Sequence, residues 1–287
     1  MDDRLSWTRY QPGLAGATAP LAEEGIAERR YELEPHILEV VPFGEMRQSV
    51  VELGCGVGTD GLLISAVAEK YVGVDYSLLG LRTAAQRHQK EGRGNSDFTR
   101  ADLRSLPFAD ESFDYVYSHG VVHHIRGADA VWREASRVLR PQGRFCVMVY
   151  HRGSVNFQFG IRLLRRMALC LAVVAKPLAD RLAGGVGEAE ETLAGHRANL
   201  RRLRLRYLIG SPWLSANTDG PSNTYSRVYS RRELREALAA AGLTVDALEV
   251  RYLNARVNPP FHLLPEAVAS WVAKRYGWHL YAMGHRE

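Results

Sequence analysis

A chain of 287 residues, 46% hydrophobic and 24% charged, has the makeup of a globular protein with room for one generous α/β domain or two small ones. Its three cysteines, Cys55, Cys146 and Cys170, are too scattered for a disulfide framework or a C-x-x-C metal site, so free buried thiols are expected. The net charge of +5 admits anionic partners, but the basic excess is confined to the stretch from His151 to Gly210, and the rest of the chain is mildly acidic.

No apolar run follows the acidic opening Met1-Asp2-Asp3, and the longest one, Met167 to Ala175, falls short of the roughly 20 residues of a membrane span. A cytoplasmic protein without a transmembrane segment is expected. Residues 1–48 combine turn material, Gln11-Pro12-Gly13 and Thr18-Ala19-Pro20, with helical patches at Leu21 to Tyr31 and Pro35 to Val41. They read as a helical N-terminal cap.

From Ser49 the pattern changes to apolar strand runs alternating with helical stretches. SVVELG, YVGVDYS, FDYVYSHG and RFCVMVY are strand-like; GLLISAVAE, LLGLRTAAQRHQ and ADAVWREASRVL are helical. Strands alternating with helices imply βαβ units and a mostly parallel sheet, here over 49–151. Residues 152–212 interrupt the alternation with helical, Arg-rich sequence that reads as an inserted lid. Residues 213–287 resume it with a helix from Ser230 to Ala241, a strand from Leu243 to Leu253, a helix from Pro265 to Tyr276 and a strand from Trp278 to Met283.

The turn after the first strand, Val51-Glu52-Leu53-Gly54-Cys55-Gly56-Val57-Gly58-Thr59-Asp60-Gly61, fits two glycine registers. Counted from Gly56 it spells the dinucleotide fingerprint G-x-G-x-x-G; counted from Gly54 it spells G-x-G-x-G directly after a strand. Both mark a ligand site at the carboxyl end of a central strand, and Asp75, ending the second strand, suits the ribose of any adenosine-containing cofactor. The registers separate on three points. The strand runs to Leu53, so the turn begins at Gly54. Asp60 falls among the helix-start amides where a pyrophosphate would bind and be repelled. A further acid, Asp102, follows the third strand, where it can accept from an adenine amino group.

These blocks, together with ADLRSLPFADESFDYVYSHGVVHHI and ASRVLRPQGRFCVMVY, resemble in order and spacing the signatures of class I S-adenosylmethionine-dependent methyltransferases. The resemblance implies a Rossmann-like, doubly wound, mostly parallel seven-stranded sheet whose last strand is antiparallel. It also implies that Gly54, Gly56 and Gly58 line the methionine moiety of S-adenosyl-L-methionine, Asp75 the ribose, and Asp102 with Leu103 the adenine. Glu52, Tyr76 and His119 are counted as cofactor-facing on the same basis, and S-adenosyl-L-homocysteine is the implied product.

Methyl transfer from a sulfonium is an in-line displacement, so positioning, water exclusion and sometimes proton removal are what the protein must supply. His123 and His124, after the fourth strand, are the candidate bases. His119 and His123 are four apart, but no third ligand lies nearby in the sequence and no metal is expected. The nucleobase-type Asn/Asp-Pro-Pro-Tyr turn is replaced by Ser118-His119-Gly120-Val121, which favours a small-molecule acceptor with an oxygen, nitrogen or carbon nucleophile. Tyr10, Tyr31, Tyr225 and Arg227 are candidate acceptor contacts, and the apolar and basic stripes of the lid suit a hydrophobic or anionic acceptor. No nucleic-acid partner is expected, and the chain is expected as a monomer or homodimer. Three other readings compete: a cofactor-binding protein with a non-methylating role, an NAD-dependent oxidoreductase, and a nucleic-acid or membrane-binding module using the basic insertion.

Overall fold

Val50, Val51 and Leu53 are fully buried in the first strand, β1 (Ser49–Leu53), and Glu52 between them is 4% exposed. A β-branched run buried on both faces is the mark of a central strand in a parallel sheet, and β1 pairs in parallel with β2 (Lys70–Asp75) on one side and β4 (Phe113–His119) on the other. The computed structural model describes residues 26–167, 187–209, 211–218, 223–253 and 263–287. Within them, β3 (Ser96–Arg100), β5 (Leu139–Tyr150), β6 (Leu243–Arg251) and β7 (His279–Arg286) complete a seven-stranded sheet in the order β3-β2-β1-β4-β5-β7-β6. The first five are mutually parallel, and β7 runs antiparallel to both β5 and β6. This is the expected sheet, with the reversed strand seated between its two neighbours.

Helices cover both faces. On one, Val131 and Trp132 of α5 (Ala128–Val138) and Leu234 and Leu238 of α9 (Arg231–Ala239) pack against Val51, Val116, Phe145 and Leu280. On the other, Ile37 of α2 (His36–Val40) and Ile64 of α3 (Thr59–Ser65) pack against Tyr71, Tyr117 and Tyr281. The helix α4 (Leu78–Lys90) starts at Ser77, whose hydroxyl accepts from the Gly80 amide. The cap contributes α1 (Ile26–Leu33) and α2, close to the two helical patches of the sequence.

β5 starts at Leu139, five residues before the strand run apparent in the sequence. Pro141, Gln142 and Gly143 form an irregular entry in which Gln142 takes φ +62°, and the register against β4 jumps there from Phe113↔Leu139 to Tyr115↔Arg144. A proline and a glycine concealed that entry, since both read as turn signals.

The described residues of the insertion form a helical segment Asn156–Leu164, α6 (Gly187–Leu203), α7 (Leu205–Ile209) and α8 (Ser211–Thr218). Trp213 donates its indole N–H to the Ile161 carbonyl at 2.8 Å and joins Tyr207, Tyr150 and Trp278 in a small core that ties the insertion to the end of β5. Pro212 lies in the first turn of α8, where its missing N–H costs nothing, so the helical block runs on to Thr218 instead of ending at 212. The last helix, α10 (Glu266–Tyr276), leads into β7. Among the described residues no helix is long and apolar enough to cross a membrane.

Candidate functional site

The carboxyl ends of β1, β2, β4 and β5 border a cavity of about 390 Å³. One side is built by the turn from β1 into α3. Gly54 takes φ +82°, and a β-carbon there would collide with the side chain of Val121. Gly56 takes φ +54°, and a β-carbon there would meet nothing within 4 Å, because its backbone faces the open space. The Gly56 amide donates to Asp75 Oδ2 at 2.9 Å, and Ser77 N donates to Oδ1 at 2.8 Å. Burial pushes the Asp75 carboxyl up, opposed by those backbone donors. Asp102 is gripped in a fork by Arg104, with contacts of 3.0 and 2.8 Å.

Beneath this turn, Glu52 accepts a 2.6 Å hydrogen bond from Tyr71 Oη. Burial, then the nearby charge of Asp60, push its pKa up to about 8. Asp60 itself is 4% exposed in the first turn of α3 and accepts from Arg30, Tyr31 and Tyr117 at 2.8, 3.0 and 2.9 Å. Burial opposes the charge of Arg30, but Asp60 more than offsets it and keeps the guanidinium firmly protonated. The acid expected to repel a phosphate therefore has its charge matched by Arg30, and it anchors the N-terminal cap.

The opposite wall combines Arg30, Glu34, His119, His124, Tyr150 and His279. His119 lies between Arg30 Nη2 at Nδ1 and Tyr281 Oη at Nε2, each at 3.0 Å. His279 Nδ1 is 3.0 Å from His36 Nε2, and its Nε2 is 3.9 Å from Glu34 Oε1. Burial, reinforced by neighbouring cationic groups, holds His119 and His279 well below the usual histidine range and His36 at about 4, so all three rings are neutral at pH 7.

Residues 51–147 match the family model of a methyltransferase domain. A probable S-adenosylmethionine-dependent methyltransferase of Mycolicibacterium smegmatis is 30% identical over 188 residues, covering 65% of this chain and 69% of that protein. The chain belongs to the class I S-adenosylmethionine-dependent methyltransferases. The methyltransferase GfsG of Streptomyces halstedii is 35% identical over 140 residues, 48% of each chain, and this chain spans about half or less of the length of most of the curated relatives it matches. The likeness extends to the fold: a Thermotoga maritima S-adenosylmethionine-dependent methyltransferase superposes with a TM-score of 0.56 at 16% identity, covering 100% of both chains.

Of the residues singled out in the sequence, Glu52, Gly54, Gly56, Asp75, Tyr76, Asp102, Leu103, His119 and His124 all line the cavity. Gly58 caps α3 and packs against Ala84 and His88, outside the cavity lining. His123 is fully buried, with its ring 3.8 Å from that of Tyr150 and neither ring nitrogen hydrogen-bonded, so it packs behind the wall while His124 faces the cavity. Tyr31 also lies off the lining and meets it only through its hydrogen bond to Asp60. Tyr225 and Arg227 lie off the lining: Arg126 stacks on the Tyr225 ring at 4.4 Å, and Arg227 stacks on Tyr229 at 4.5 Å. Their segment contributes its backbone instead, with the Tyr225 carbonyl 3.1 Å from His124 Nδ1. Tyr10 lies outside the described residues.

Sequence reading missed Arg30, Glu34, Tyr150 and His279 as wall residues. Arg30 and Glu34 are spaced one helical turn apart in the cap, a pattern that signals a shared face without saying what the face meets.

Proposed function

We propose that this chain transfers the methyl group of S-adenosylmethionine to a small molecule with an oxygen, nitrogen or carbon nucleophile, in a cytoplasmic, specialised-metabolism setting. The observation that carries the reading is a single cavity joining an acid-lined end, Asp75 and Asp102, to a histidine-rich end, His119, His124 and His279. The backbone of Gly56 borders open space that a β-carbon would enter, and the two carboxylates stand at the ends of adjacent strand connections, as an adenosine group requires. The residues present therefore fit the cofactor. Bound there, it supplies an electrophilic methyl group on a sulfonium.

The chain's own residues would divide the remaining work. Asp75 accepts from the ribose hydroxyls, and Asp102 with Leu103 holds the adenine. Glu52, beneath the glycine turn, offers a carboxyl oxygen to the methionine ammonium, whose charge would favour loss of the Glu52 proton. Val121, Ile125, Met148 and Tyr150 give the middle of the cavity apolar walls that keep water from the reacting atoms. His124 is the candidate base for an O–H or N–H acceptor, oriented by Ser226 Oγ at 2.9 Å from its Nδ1.

Calorimetry with S-adenosylhomocysteine and with NAD, followed by an acceptor screen with methyl-labelled S-adenosylmethionine, tests the reading. We expect S-adenosylhomocysteine to bind, NAD not to bind, and Asp75→Ala to weaken the former by at least about tenfold, the loss of a charged hydrogen-bonding partner. Tight binding of NAD alone overturns the assignment; cofactor binding without transfer to any acceptor overturns the methylating role.

A further inference from the structure

The histidine-rich end of the cavity contains three groups that the mechanism above does not use together. Glu34 follows α1, His119 ends β4 and His279 opens β7, so they are remote in sequence. In space each offers one ligand atom, and these atoms all lie within 4.8 Å of one another. All three side chains line the cavity. We propose that Glu34, His119 and His279 form a binding site for a divalent transition-metal ion on the acceptor side of the cavity.

The donor set argues for the class of ion. Two imidazoles and one carboxylate suit zinc, iron or cobalt, whereas magnesium and calcium prefer sites built of oxygen. Three protein donors leave positions open, and all three residues border the cavity. The surroundings carry a feature common to such sites. His36 Nε2 lies 3.0 Å from His279 Nδ1, which directs the other ring nitrogen of His279 toward Glu34. A partner of this kind on the far nitrogen fixes the tautomer and orientation of a ligating histidine. His36 is in turn held by stacking on Tyr252, with ring centroids 5.0 Å apart.

Two features oppose the site, and their size sets its character. Arg30 lies 3.0 Å from His119 Nδ1, but its charge is already matched by Asp60 at 2.8 Å. Both nitrogens of His119 are hydrogen-bonded, to Arg30 and to Tyr281, so one of these bonds must yield when the ion docks. The site therefore exchanges its ion readily instead of sequestering it. Its role, which rests on the methyltransferase reading, is to give an acceptor bearing oxygen donors a cationic anchor beside the reacting centre.

The test uses the full chain, treated with a chelator and titrated with Co²⁺ while visible absorption is followed, with Zn²⁺ calorimetry in parallel. S-adenosylhomocysteine binding and the melting temperature are measured on every variant. We expect saturation at one ion per chain, with affinity reduced by at least about tenfold in both Glu34→Gln and His279→Ala and by a smaller factor in His36→Phe. Glu34→Gln keeps size and hydrogen bonding, so it stays informative if His279→Ala fails to fold. Absence of a saturable Co²⁺ spectrum, or an affinity unchanged in Glu34→Gln, overturns the site. Ion binding without S-adenosylhomocysteine binding upholds the site and overturns the methyltransferase role instead.

Discussion

Glu52 is a carboxyl kept where its charge is unwelcome. Burial and Asp60 raise its pKa from 4.5 to about 8, so the folded cofactor-free protein holds this proton more tightly than the unfolded chain does. Such a group contributes stability that is fully present below about pH 4.5 and is lost as the pH rises through about 8. Glu52→Gln keeps an acceptor for Tyr71 and removes the titration. Its melting temperature should therefore gain on the natural protein progressively between pH 5 and pH 9, and a constant difference across that range would refute the assignment. The paired histidines diverge in the same residue-by-residue way. His124→Ala should lower turnover by about 100-fold or more while S-adenosylhomocysteine still binds, the range expected for loss of a positioned base. His123→Leu should leave turnover intact and hold or raise the melting temperature, because both of its buried ring nitrogens lack hydrogen bonds and carry a desolvation cost. The sequence offered these two residues as equals; only the turn Val122–His124 decides which ring reaches the cavity, and a one-residue change in direction is invisible to pattern reading.

At the scale of elements, the cap is fastened by an ion pair. Arg30 of α1 meets Asp60 of α3 at 2.8 Å; the Asp60 side chain is 3% exposed and that of Arg30 30%, so the acid's side of the contact is shielded from solvent. Removing one partner of a buried pair leaves an uncompensated charge, at a cost of about 3 kcal/mol. Arg30→Ala should show a loss of that order in urea unfolding, with part of it recovered in the double variant Arg30→Met with Asp60→Asn. A double-variant loss equal to the sum of the losses in Arg30→Met and Asp60→Asn measured singly would mean that the two charges are not coupled. Strands and helices were legible because their signals are local: β1, β2 and β4 are short apolar runs, and α9 announces itself through Ser230 and Glu233, which form a reciprocal cap. The start of β5 was not, since Pro141 and Gly143 hide a strand behind turn residues. The two ends of the site differ for the same reason. The cofactor end lies in 52–103, next to the strand ends that define it. The histidine-rich wall draws on residues 34, 119, 124, 150 and 279, which only the completed sheet order brings together.

At the scale of the whole molecule, cofactor binding and folding are linked. A ligand at 100 times its dissociation constant adds about 2.7 kcal/mol to the stability of the folded state, which for a chain of this size corresponds to roughly 5 °C in melting temperature. S-adenosylhomocysteine should produce a shift of that order, and NAD at the same concentration should produce none; the reverse pattern would return the glycine turn to its dinucleotide register. Asp60 supplies the reason for the asymmetry, since it occupies the helix start that a pyrophosphate would need.

The seating of β7 between β5 and β6 gives the protein a timetable. During synthesis the strands that carry Gly54, Asp75 and Asp102 emerge first, and the five parallel strands can pair while most of the C-terminal third is still to come. The histidine-rich wall of the cavity is finished only when His279 and Tyr281 arrive. Until then β5 presents a bare edge with an apolar face, the kind of surface that nascent chains must shield from one another. A chain stopped before His279 would carry the residues of the cofactor end and two unmatched strand edges, so premature termination yields an aggregation hazard in place of a smaller enzyme.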